Sequence, residues 1–110
     1  MNRWNIPDKL EREIIERDTS CVYCKTPFSS ADGPRRSRAS WEHIVNDARI
    51  VSRENIALCC IGCNASKGAK DVELWLSSKY CQSRGINSSN VALVVRAAIS
   101  NRPTLQSVGT

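Results

Sequence analysis

The chain has 110 residues, a formal net charge of +5 and a pI near 9.1; 41% of its residues are hydrophobic and only 5% aromatic. One domain is expected at this length, too small to rest on a hydrophobic core alone without help from a metal or disulfides. The basic balance suits a polyanionic partner, while no apolar run approaches the length of a membrane span, which argues against a membrane protein.

The opening stretch MNRWNIPDKLEREIIERD carries charges throughout and lacks the apolar core of a leader peptide, which predicts a cytoplasmic setting with reduced thiols. Pro7 to Arg17 reads as a helix: proline suits the first turn, and Leu10, Ile14 and Ile15 recur at helical spacing. Asp18-Thr19-Ser20 ends it and leads into CVYC, Cys21 to Cys24, a knuckle that can turn two thiolates inward. KTPFSSADGPRRSRAS follows as a loop, marked by Pro27, Gly33 and Pro34, with a basic cluster of Arg35, Arg36 and Arg38. SWEHIV, Ser40 to Val45, predicts a short strand with Trp41, Ile44 and Val45 as its apolar members. NDARIVSREN connects it to a second strand, IALCC, Ile56 to Cys60. From Asn64 the pattern turns helical, with Gly68 placed to end or bend it. DVELWLSSKYC predicts an amphipathic helix built on Val72, Leu74, Trp75, Leu76 and Tyr80. SRGINSSN interrupts, and Ser88, Ser89 or Asn90 is placed to cap a last helix, VALVVRAAIS. Residues 101–110 carry no strong signal and are expected to fray. The outline is a single α+β domain over residues 1–110: helix, knuckle, two strands, then helices.

Six cysteines stand in the chain. Cys21 and Cys24 form one CxxC pair and Cys60 and Cys63 another, and four thiolates match the tetrahedral demand of zinc. Such a site has no open position, so it is structural, tying the start of the domain to its end and helping to hold the strands together. The competing reading is a set of buried or disulfide-bonded cysteines. Cys59 points to the opposite strand face from Cys60 and, like Cys81, reads as a small buried residue. Were Cys59 to replace Cys60, its spacing to Cys63 would be too long for the usual knuckle.

Threaded through this frame are WEHIVN, ENIAL and CCIGCNASKG, which hold the only histidine, His43. Together they resemble the HNH endonucleases, nucleases with a ββα-metal (His-Me finger) core. The resemblance covers about Cys21 to Lys67 and rests on an acidic-His pair, an Asn before the second strand and a final Asn in CNxxK. It implies such a core at about residues 21–70, preceded by the N-terminal helix, braced by the four-Cys zinc site and followed by a helical part at 71–100. It also implies a metal-dependent hydrolysis of DNA phosphodiester bonds that leaves a 3′-hydroxyl and a 5′-phosphate, in a prokaryotic or phage-encoded cytoplasmic protein. His43 would be the general base, Glu42 and Asn64 would bind a catalytic Mg²⁺ or Mn²⁺, and Asn55 would hold the loop that aims His43. Lys67 would lie near a phosphate. The family often has Pro three residues after its first His; here that position is Asn46, a departure that alters a turn.

The residue chemistry agrees with this division of labour and adds a geometric demand. A carboxylate and an amide oxygen are hard ligands, and a histidine near neutral pH can take a proton from water. Yet Glu42 and His43 are neighbours on a strand, and an ideal pleat sends them to opposite faces. Convergence on one phosphate needs a twist, a bulge or a strand end. Arg35, Arg36 and Arg38 are either a solvated loop or direct DNA contacts. The segment from Arg35 to Lys70 holds Arg35, Arg36, Arg38, Arg49, Arg53, Lys67 and Lys70 against Glu42, Asp47 and Glu54, which favours phosphates nearby. Trp41 and Trp75 read as core. The alternative function is a non-catalytic zinc module that binds nucleic acid or protein, and the small size suggests that sequence specificity comes from a homodimer or a protein partner.

Overall fold

The computed structural model describes residues 4–105. At its centre, β1 (Ala39–His43) pairs antiparallel with β2 (Ile56–Cys60), in unbroken register from Ala39 opposite Cys60 to His43 opposite Ile56. All five β2 residues are buried, as a strand covered on both faces requires, and the side-chain period of two divides Ile56 to Cys59 between two apolar clusters. Ile56 and Leu58 join Ile6, Ile14, Trp4 and Trp41. Ala57 and Cys59 join Tyr23, Val72, Trp75, Val91 and Val95. The first cluster is closed by α1 (Asp8–Arg17), the second by α2 (Ile61–Lys67), α3 (Val72–Leu76), α4 (Lys79–Arg84) and α5 (Leu93–Ser100). The result is a small α+β domain with a two-stranded sheet between helices.

The edge of β2 away from β1 is satisfied by the chain just before it. Leu58 N–H donates to Asp18 Oδ2 at 3.0 Å, Val22 N–H to the Leu58 carbonyl at 3.2 Å, and Arg17 Nη2 to the Ile56 carbonyl at 2.8 Å. A buried strand edge must find such partners. Asp18 supplies one of them because α1 stops there, its own N–H still bonded to the Ile14 carbonyl.

Several boundaries differ from those expected. β1 ends at His43 rather than Val45, because Val45 N–H turns to the side chain of Asn55. α2 starts at Ile61, not Asn64: Cys60 is its cap, Sγ accepting the Cys63 N–H at 3.4 Å. Gly68 ends α2 at φ +52°, a conformation side chains disfavour. The stretch DVELWLSSKYC makes two helices, since the Ser78 hydroxyl accepts the Cys81 N–H at 3.3 Å and starts α4 afresh. α5 begins without a serine or asparagine cap. Its cap position is Ala92, whose N–H donates to the Val22 carbonyl at 2.8 Å, while Asn90 closes the preceding turn onto Asn87. Beyond α5, Arg102 pairs with Asp71 at 2.9 Å, so part of the segment expected to fray is held; residues 106–110 lie outside the described ones. Among the described residues no helix is long and apolar enough to cross a membrane.

Candidate functional site

The two knuckles meet at the Cys60 end of the hairpin. The Sγ atoms of Cys21, Cys24, Cys60 and Cys63 all lie within 4.8 Å of one another. Cys24 Sγ is 3.8 Å from Cys60 Sγ, which is the edge of a tetrahedron whose centre stands about 2.3 Å from each sulfur, the zinc–thiolate distance. Each knuckle also donates an N–H to its own first sulfur, Cys24 to Cys21 at 3.5 Å and Cys63 to Cys60 at 3.4 Å. The Tyr80 hydroxyl donates to Cys63 Sγ at 3.4 Å. Four thiols this close cannot all ionise by themselves. Hydrogen bonds from Cys21 and then Cys63 hold the Cys60 pKa down to about 2; the Cys60 contact raises Cys21 to about 12, and contacts with Cys21 and then Cys60 raise Cys63. A divalent cation would take the place of those protons, so the donor set fits a metal such as zinc. Cys59 stands apart: its thiol is buried against Ser40, 3.8 Å away, and desolvation raises its pKa. It is a core residue.

At the other end of β1 the pleat stays regular and keeps Glu42 and His43 apart. Glu42, 4% exposed, faces α2: Lys67 Nζ lies 3.1 Å from its Oε2, and the Tyr23 hydroxyl donates to the same oxygen. Burial raises the Glu42 pKa, an effect that Lys67 and then Tyr23 only partly offset. Lys67 is itself fully buried and donates to the His43 carbonyl at 3.4 Å. The ammonium expected beside a phosphate thus lies in this structure between Glu42 and the His43 carbonyl. The His43 ring meets Trp4 edge-on at 5.2 Å between centroids, and its Nε2 is buried with no hydrogen-bond partner. Desolvation, then the charge of Lys67, lowers the His43 pKa below its ordinary 6.5, with Asp47 pulling the other way. That shift favours the neutral imidazole at pH 7.

The two asparagines hold the backbone around this pair. Asn55 is fully buried; its Oδ1 accepts the Val45 N–H at 2.7 Å, and its Nδ2 donates to the carbonyls of Val45 at 3.2 Å and Ile50 at 3.1 Å. It thereby pins both sides of the loop that leaves β1 directly after His43. Asn46 lies in that loop within a tight turn closed by the Asp47 N–H on the Val45 carbonyl at 2.7 Å. Asn64, on α2 one residue beyond Cys63, commits its Nδ2 to β1, to Ser40 Oγ at 2.9 Å and the Trp41 carbonyl at 3.1 Å. That leaves Oδ1 as the atom it can offer a cation.

The basic residues divide. Arg49 pairs with Asp47 at 2.8 Å and Arg53 with Glu13 at 2.6 Å. Arg38, half-buried, points into its own loop, donating to the Gly33 carbonyl at 3.2 Å, with its Nε buried and unpartnered. Arg35 and Arg36 are exposed on a 3₁₀ turn, Arg35–Ser37, that packs on α2. The sequence reading missed Tyr23, Trp4 and Tyr80. Tyr23 lies inside the first knuckle, but no spacing signals that its hydroxyl reaches a carboxylate on a strand. No protein-family model matches the chain, and neither a curated protein nor a solved structure matches it.

Proposed function

We propose that the hairpin and α2 form a ββα-metal core of the HNH type and that the domain is a metal-dependent endonuclease acting on DNA. The observation that carries this reading is the His43 imidazole: neutral, with an unpartnered Nε2, at a strand end whose following loop is clamped by Asn55. A buried polar atom with no partner is costly, and here it is the kind of atom a general base needs. His43 takes the proton of the attacking water, and Asn55 positions it through the backbone. Glu42 and Asn64 Oδ1 are hard oxygen donors that would hold Mg²⁺ or Mn²⁺, and the ion would supply charge stabilisation at the phosphoryl group. For Glu42 to serve, its carboxylate must exchange one positive partner, Lys67, for another. The four-Cys site, loaded with zinc, fixes Cys63 and with it the start of α2 from which Asn64 projects.

The Glu42–Lys67 pair also supports a second reading. A carboxylate already matched by an ammonium needs no metal, as expected of a zinc-organised module that binds nucleic acid without cutting it. Supercoiled plasmid separates the two readings. Nicking or linearisation that requires added Mg²⁺ or Mn²⁺ and is lost in His43→Ala, with zinc content unchanged, is the expected result. No cleavage by the folded, zinc-loaded protein would sink the nuclease. Because the fold favours the neutral imidazole, the acid limb of the cleavage rate should fall below pH 6.5. The associated stability is complete above that pH and is lost as pH drops through the folded-state value.

A further inference from the structure

Arginines whose charge is met locally by carboxylates are distinguishable from those whose charge is not. Arg17, Arg49, Arg53 and Arg102 each pair with Asp or Glu. Among the described residues Arg12, Arg35, Arg36, Arg38, Arg84 and Arg96 have no such partner, and three of these, Arg35, Arg36 and Arg84, converge. They line a groove of about 620 Å³ with Ile61, Gly62, Ala65 and Tyr80. Arg36, Tyr80 and Arg84 continue into an adjoining hollow of about 310 Å³ beside Cys24 and Cys60. No carboxylate lines either one.

The guanidinium groups there are held in place. Arg84 lies over the Tyr80 ring at 3.7 Å from its centroid and also donates to the Tyr80 carbonyl at 3.3 Å. Tyr80 is in turn anchored by its hydroxyl on Cys63 Sγ. Arg36 lies against α2 at Gly62, where an added Cβ would stand 3.0 Å from Arg36 Nη2, so the absent side chain makes room for the guanidinium. Pre-set guanidinium forks with no carboxylate partner, facing a hollow that no carboxylate lines, match the planar, bidentate recognition of phosphate.

We infer that this groove at the four-Cys end is a backbone-phosphate contact site for nucleic acid, formed by Arg36 and Arg84 with Arg35 at its rim. It rests on the nucleic-acid reading above but not on catalysis. Arg38 and Lys67 are not part of it. The groove adjoins the Cys60 end of the hairpin, and His43 lies at the other, about 14 Å away at 3.4 Å per strand residue.

The test is fluorescence anisotropy of a short labelled duplex DNA across a NaCl series, without added Mg²⁺, using the zinc-loaded protein. Arg36→Ala/Arg84→Ala should flatten the slope of log K against log salt by about 0.9 per arginine. The charge-matched Lys9→Ala/Arg12→Ala variant on α1 should leave it nearly unchanged. Equal flattening by both pairs would mean diffuse attraction and would overturn the site. So would an unchanged slope in the groove variant, no wild-type binding at low salt, or equal competition by poly-glutamate, which would assign the groove to acidic polypeptide. If the alanine variant loses zinc or its cooperative melt, Arg36→Gln and Arg84→Gln singly carry the same test. Groove-dependent binding without plasmid cleavage would sink only the nuclease; cleavage with an unaltered slope would sink only this site.

Discussion

Lys67 shows how a residue read from a motif can be recast by its surroundings. Its place in CNxxK suggests a cation near a phosphate, yet it is fully buried against Glu42 and the His43 carbonyl. Removing one member of a buried ion pair leaves the other charge stranded, at a cost of about 3–5 kcal/mol. Lys67→Met should therefore lose stability of that order in urea, and Lys67→Met/Glu42→Gln should recover most of it, since the amide can still accept from Tyr23. A double variant no more stable than the single one would show that the pair is not coupled. The residue types at Glu42, His43, Asn55 and Asn64 were legible from their order in the chain. The neutral, unpartnered state of His43 was not, because it depends on Trp4 and Lys67, which reach it from the N-terminal segment and from α2.

Elements were legible where periodicity and end signals coincide. α1 and β2 fall where the apolar spacing put them, and Gly68 stops α2. Misreadings arose where a local hydrogen bond outweighed the pattern. Ser78 restarts a helix within an otherwise continuous amphipathic run, and the Cys60 sulfur caps α2 so that it starts at Ile61, three residues before the Asn64 that polarity alone suggests. Asp18 was legible only as the end of α1, yet it also receives the N–H of Leu58 on the buried edge of β2. Asp18→Ala strands that donor and should cost about 2 kcal/mol. Asp18→Asn, which retains an acceptor, should cost less. Chemical denaturation of both variants checks this, and equal losses would show that the bond to Leu58 is not the reason.

For the whole molecule, the four-Cys cluster ties the segment after α1 to the β2–α2 junction. Cys63→Ser should remove bound zinc and abolish the cooperative thermal melt together, as read by elemental analysis and circular dichroism. Zinc retained at wild-type stoichiometry would refute the four-thiolate assignment. The cluster could be inferred from the sequence because two CxxC pairs carry their ligand geometry within a few residues and need only be brought together. The order of strands and helices and the candidate acid, base and amide groups were likewise written in local spacing. Only the tertiary structure decided which charges remain available. Lys67, Arg38, Arg49 and Arg53 are taken up by Glu42, a backbone carbonyl, Asp47 and Glu13, while Arg36 and Arg84, far apart in the chain, share one groove. The physical reason is that a ligand set made of nearby residues is fixed by local backbone geometry, whereas the neutralisation of a charge depends on which distant group folding places within a few ångströms of it.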